Sequence, residues 1–167
     1  MTVHIDEFNT ATAEEATAAL RPCADVGWWV AELVARRPYD DAGELRALAA
    51  ELAEGFAPAD VDAALAGHPR IGERRAGDGA EARFSAAEQG SLGADAGLAA
   101  EIAAGNAAYE DRFGRIFLIR AAGRGQAEIL AELRRRLRLD PGDELVVVAA
   151  ELADIALRRL TEVVTDE

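Results

Sequence analysis

The chain has 167 residues, a length that suits one domain, whose core would bury roughly two thirds of the surface its unfolded form exposes. Its 18 basic residues, all arginine, face 31 acidic ones, and a net charge of -13 argues against a nucleic-acid or anionic-membrane surface, since both need clustered positive charge. One cysteine, Cys23, excludes an internal disulfide, and no stretch reaches the roughly 18 uninterrupted apolar residues of a membrane span. The opening Met1–Thr10 holds two acids and no apolar run, so neither a signal nor a transit peptide is expected, and the cytoplasm is the expected compartment.

Strand formers are scarce and apolar residues recur at intervals of three and four, which predicts an all-α fold: a compact single-domain bundle of about eight helices. Thr12 and Glu15 form a capping box that starts a helix to about Arg21, closed by Pro22. A second helix is expected over about 24–36 with Val26, Trp29, Val30, Leu33 and Val34 inward; two adjacent tryptophans cannot both point inward, so one of Trp28 and Trp29 belongs at an edge. After Arg37-Pro38-Tyr39, Asp40 or Asp41 caps a third helix carrying Leu45, Leu48, Ala49 and Leu52, ended by Gly55. Pro58 opens a fourth that Gly67 ends.

His68 therefore emerges where a helix stops, ahead of a proline that disfavours helical geometry for it. Such a histidine either works as an imidazole or simply bonds a loop carbonyl. The polar, glycine-rich run from Glu73 to Arg83 reads as a flexible surface loop beside it. Ser85-x-x-Glu88 is a further capping box opening a short helix to about Gly93, so Glu88 has a structural role open to it as well as a chemical one.

Asp95 caps a longer helix expected to carry Leu98, Ile102, Ala103, Asn106, Tyr109 and Phe113 and to continue through Phe117 and Leu118 before fraying toward Gly123. Asn106 and Tyr109 within its apolar stripe must be hydrogen-bonded or line a cavity. A helix over about 126–137 buries Ile129, Leu130, Leu133 and Leu137, and its basic run Arg134–Arg138 reads as solvated, where cations suit the helix dipole. Asp140-Pro141 starts a long last helix to about Val164 with Leu145, Val148, Leu152, Ile155, Ala156, Leu160 and Val163 inward. Of its adjacent arginines, Arg158 and Arg159, one can face solvent while the other turns to the core side.

Phosphate loop, dinucleotide fingerprint and nucleophile elbow are all missing, and two histidines without i, i+4 spacing support no metal site. What remains is a cofactor-free set of His68, Glu88, Gln89, Ser85 and an arginine, suited to moving protons and holding anionic oxygens on a small, polar, negative substrate.

The runs His68-Pro69-Arg70-Ile71-Gly72, Ser85-x-x-Glu88-Gln89 and Asn106-x-x-Tyr109-x-x-x-Phe113-Gly114-x-x-Phe117-x-Ile119, flanked by Phe8-Asn9, Trp29, Arg37-Pro38-Tyr39 and Ile155-x-x-x-Arg159-Leu160, resemble the 2-oxo-4-hydroxy-4-carboxy-5-ureidoimidazoline (OHCU) decarboxylases of urate degradation. The resemblance implies an all-helical homodimer converting OHCU to (S)-allantoin and carbon dioxide without metal or organic cofactor. It places His68 and Glu88 at the catalytic positions. Pro69, Ser85, Ala86, Ala87, Gln89 and the run Phe117, Leu118, Ile119, Arg120 and Ala121 fall at substrate-touching positions, and Arg159 falls at that of an arginine able to hold a carboxylate. Two rival readings are a helical binding or scaffold protein keeping the fold without the chemistry, and a lyase acting on a related ureido acid.

Overall fold

The computed structural model describes residues 2–66, 68–72, 83–84, 87, 90, 93 and 95–167. Within them lie eight helices, α1 (Ile5–Thr10), α2 (Ala13–Leu20), α3 (Gly27–Ala35), α4 (Ala42–Ala53), α5 (Pro58–Leu65), α6 (Ala96–Phe113), α7 (Gln126–Arg136) and α8 (Pro141–Val163). Two two-residue strands, β1 (Val3–His4) and β2 (Val164–Thr165), pair in parallel with Val3 opposite Val164. The all-helical expectation holds apart from this short pair, and α1 adds a helix that the sequence did not suggest. Its cap is unusual: the His4 ring nitrogen Nδ1 accepts the Asp6 N–H at 3.2 Å, where a serine, threonine or aspartate is the usual acceptor.

Two compact units divide the chain, Met1–Ala64 with Ala153–Glu167, and Leu65–Leu152. In the first, Trp29 is fully buried and donates its indole N–H to the Ala49 carbonyl at 3.0 Å, whereas Trp28 is 38 % exposed at the edge. The Arg37 guanidinium closes the α1 end by donating to the carbonyls of Phe8 (2.6 Å) and Ala11 (2.8 Å). Asn9 and Tyr39 exchange two bonds, side-chain amide to carbonyl at 2.8 Å and backbone N–H to side-chain oxygen at 2.9 Å. Phe8-Asn9 and Arg37-Pro38-Tyr39 are thus two halves of one structural tie. Helix α3 starts later than expected, at Gly27, with Ala24 and Val26 buried in non-helical chain ahead of it. Gly55 follows α4 with its N–H on the Leu52 carbonyl, but without a positive φ, so it is not the left-handed stop that its position suggested.

In the second unit α6 packs on α7, and Ile71, Ile102, Tyr109, Phe117, Ile119, Ala121, Ile129, Leu130 and Leu133 form one apolar cluster. Helix α6 is capped by Asp95, whose carboxylate accepts the Leu98 N–H at 2.9 Å. Gly105 lies against α7: a Cβ there would stand 2.4 Å from Leu133 Cδ2. Gly114, at φ 70°, ends the helix in the left-handed conformation that glycine adopts without steric cost. The expectation that α6 runs on through Phe117 and Leu118 is therefore wrong: Phe117–Ala121 is non-helical, buried chain.

Candidate functional site

His68 follows the end of α5 and turns out of it, its N–H donating to the Leu65 carbonyl at 3.0 Å. It is half-buried, as is Pro69. The loop that carries them is held from one face of α6. Asn106, 5 % exposed, donates its side-chain amide to the Ile71 carbonyl at 3.1 Å. One turn further along α6, Glu110 accepts a fork from Arg70, Nε to Oε1 at 2.5 Å and a terminal nitrogen to Oε2 at 2.9 Å. The Arg70 guanidinium holds the Glu110 carboxyl below the usual carboxylate range, chiefly through those hydrogen bonds. Ile71 anchors the loop in the core and Gly72 leaves it at φ 90°, a conformation that favours glycine.

This loop and α6 border a cavity of about 380 Å³ lined by Arg70, Ile71, Gly72, Ile102, Asn106 and Glu110, with further residues of α6 and Gln126 of α7. Among the described residues the Asn106 side-chain oxygen has no hydrogen-bond partner. Both outcomes expected for a polar residue in this stripe are met, since Asn106 bonds the loop and borders the cavity, while Tyr109 donates its hydroxyl to Glu144.

The segment Phe117–Ala121 belongs to the same unit. Its peptide groups are fixed by side chains from two helices: a terminal nitrogen of Arg136 on α7 donates to the Leu118 carbonyl at 2.7 Å, and the Arg120 N–H donates to Glu151 on α8 at 2.7 Å. The Arg120 side chain, whose direction the sequence left open, is half-buried and donates to the Ala122 carbonyl at 2.9 Å.

Arg159 lies in the other unit. It is buried while Arg158 is exposed, so of the two arginines that the helical turn sets apart it is Arg159 that faces inward. One of its terminal nitrogens donates to the Pro22 carbonyl at 3.0 Å. Next to that carbonyl Cys23 is buried and free, its thiol pushed up to about 12 by burial, with Arg159 pulling the other way. Ser85, Ala86, Glu88 and Gln89 lie outside the described residues, as do Gly67 and residues 73–82; Arg83, expected in the surface loop, is helical with Phe84, so the helix expected to open at Ser85 begins earlier. Ala87, the one member of its run that is described, is exposed, and its carbonyl accepts the Gly90 N–H at 3.3 Å.

The reading of Arg134–Arg138 as a solvated run needs correction at its centre. Arg136 is 0 % exposed and paired with Glu144, also 0 % exposed, through Nε contacts of 2.9 and 3.1 Å and a terminal nitrogen at 2.5 Å. Glu144 takes the inward place expected of Leu145, which is only partly buried. Burial, followed by the bond to Glu144, raises the Tyr109 hydroxyl well above its ordinary value. A sequence signal existed: Arg136 stands three residues after the inward Leu133, and Glu144 four before the inward Val148. Opposite charges on two apolar stripes announce a buried pair.

The architecture is that of an all-helical protein with a histidine on a loop stapled to one helix and a non-helical, largely buried segment beyond that helix's end. The sequence model of one family, OHCU decarboxylase, matches residues 9–161. A protein of Amia calva named 2-oxo-4-hydroxy-4-carboxy-5-ureidoimidazoline decarboxylase is 31% identical over 131 residues, 77% of this chain and 75% of that one. The uric acid degradation bifunctional protein TTL of Arabidopsis thaliana is 34% identical over 108 residues, 62% of this chain but only 33% of its own length. Among solved structures, OHCU decarboxylase crystallised in the presence of (S)-allantoin superposes with a TM-score of 0.72 at 24% identity, covering 90% of this chain and 96% of that one. An (S)-allantoin synthase superposes at 0.69 and 17%, over 96% of this chain and 54% of the other. The chain belongs to the OHCU decarboxylase family.

Among the described residues no group of three or more His, Cys, Asp or Glu side chains is arranged to hold a metal ion, and no helix is long and apolar enough to cross a membrane.

Proposed function

We propose that this chain decarboxylates OHCU to (S)-allantoin in urate degradation, without metal or organic cofactor, as a cytoplasmic homodimer whose whole length is one catalytic domain. The observation that carries the reading is the family match over residues 9–161, which takes in His68, Glu88, Gln89, the Phe117–Ala121 segment and Arg159. The described part of the site agrees with the chemistry. His68 sits on a loop anchored through Ile71 and Arg70 to α6, and an imidazole is the side chain suited to exchanging a proton with such a substrate.

In this reading the Arg159 guanidinium and backbone donors, among them those of Phe117–Ala121, hold the anionic substrate. Pro69, Ser85, Ala86, Ala87 and Gln89 complete its surroundings. His68 exchanges the proton of the substrate hydroxyl or carboxyl group, with Glu88 orienting it. The bond to the carboxyl carbon breaks, its electron pair passes into the ring and its oxygens, and donors already aimed at that charge lower the barrier. A proton then arrives from one face and sets the S configuration.

The test is to generate OHCU in situ from urate and follow its ultraviolet decay with and without the protein. Acceleration over the spontaneous decay supports the reading. Decay at the spontaneous rate would leave a binding protein of the same fold, or a lyase for a related ureido acid.

A further inference from the structure

A fully buried ion pair is an expensive way to fill a core, because both charges lose their water; apolar replacements of similar volume are often neutral or stabilising. The pair of Arg136 with Glu144 therefore calls for a reason other than stability. Tyr109 donates its hydroxyl to Glu144, and the guanidinium stacks 4.6 Å from the Phe117 ring centroid and 5.8 Å from that of Tyr109. Carboxylate, phenol and two rings thus fix the plane and direction of one guanidinium. Its remaining terminal nitrogen, at 2.7 Å, bonds the Leu118 carbonyl. An apolar pair would supply every packing contact in this arrangement but not that donor.

We propose that Arg136, aimed by Glu144 and Tyr109, is a positioning residue: it sets the path of the Phe117–Ala121 backbone and so the donors this backbone offers to substrate. The substrate half of this statement rests on the function proposed above. Gly114 ends α6 and releases the chain from helical bonding, so the segment has no helix or sheet ladder to define it. Buried backbone of this kind is only as well placed as its side-chain partners. Arg136 grips it at Leu118, and Glu151 takes the Arg120 N–H two residues on. The Glu144 carboxylate holds the guanidinium in one orientation, which apolar neighbours alone would not do.

The experiment replaces the whole network in the full chain: Tyr109→Phe, Arg136→Met and Glu144→Leu together, with Arg134→Met, on the exposed side of the same helix, as control. The triple variant is expected to fold cooperatively with unchanged helical circular dichroism. Its KM for OHCU should rise at least tenfold, and amide hydrogen exchange across 117–121 should quicken at least tenfold. The pH dependence of kcat should not move, and the control should match the parent. A folded triple variant with parental KM and parental exchange overturns the proposal. Should the triple variant fail to fold, Tyr109→Phe alone keeps the ion pair and loosens only its aim; it should speed exchange at 117–121 about threefold, and unchanged exchange there likewise overturns the proposal. An unaltered chain without OHCU turnover would refute the function proposed above, whereas the exchange measurement still decides whether Arg136 holds the segment.

Discussion

Gly105→Ala tests the packing that positions the loop-binding face of α6. A methyl at this position meets Leu133 Cδ2 at 2.4 Å and Cγ at 3.1 Å, and Leu133 is itself fully buried in the cluster between α6 and α7. Two effects oppose each other. Alanine in a helix interior is better than glycine by about 1 kcal/mol, whereas forcing an extra methylene-sized group into a packed core costs roughly 1 to 3 kcal/mol. Taking about 2 for the overlap, the net is a loss of about 1 kcal/mol, or about 2 to 4 °C in Tm for a chain of this size. Urea unfolding followed by far-ultraviolet circular dichroism measures it. Leu133→Ala alone should cost roughly 2 to 5 kcal/mol, and the double variant should cost less than the sum of the two singles, because the new methyl occupies part of the space vacated. Stabilisation of about 1 kcal/mol by Gly105→Ala, or strict additivity, would refute the close approach.

His68→Asn should cut OHCU turnover by a factor on the order of 100 to 10,000 while the helical spectrum stays unchanged, as expected for loss of a general acid-base group; near-parental turnover would remove His68 from its role. Gly114→Ala should cost about 1 kcal/mol in denaturant unfolding, since nothing crowds the site but its φ of 70° is left-handed. Burial raises the Cys23 thiol from 9.0 to about 12 and the Tyr39 hydroxyl from 10.0 to about 12. Both groups lose protons more readily in the unfolded chain, so their contribution is intact below about pH 9 and is lost as pH rises toward 12. Cys23→Ala should flatten that slope, and an unchanged slope would contradict the burial. Light scattering should report a dimer, and a monomer at all concentrations would contradict that part of the proposal.

Local chemistry was the most legible part of the sequence. Thr12 with Glu15, Asp41 and Asp95 all cap the helices expected of them, because a cap is decided within four residues. The inward choice of Trp29 over Trp28 follows from helical periodicity in the same way, whereas periodicity required only that one of Arg158 and Arg159 turn inward and the resemblance picked Arg159. What escaped depends on partners distant in sequence. The β1 and β2 pair joins residues some 160 positions apart, too short to leave a pattern. Arg136 looked solvated because its neighbours are; its burial was decided by Glu144 and by the Leu118 carbonyl. The end of α6 is not legible in the sequence because apolar residues continue past Gly114, and apolar periodicity alone does not separate a buried helix from buried irregular chain. In the candidate site, His68 and its stapled loop are placed, whereas Glu88 and Gln89 stay assigned by motif alone.

In the proposed reaction a chiral site protonates the decarboxylated intermediate, and the handedness of the product reports this most directly. Circular dichroism of the allantoin formed from freshly generated OHCU should show a single S enantiomer when the protein is present. Solvent protonation, open to both faces, should give none in its absence. A racemic product at the spontaneous rate, with folded protein in excess, would contradict the account.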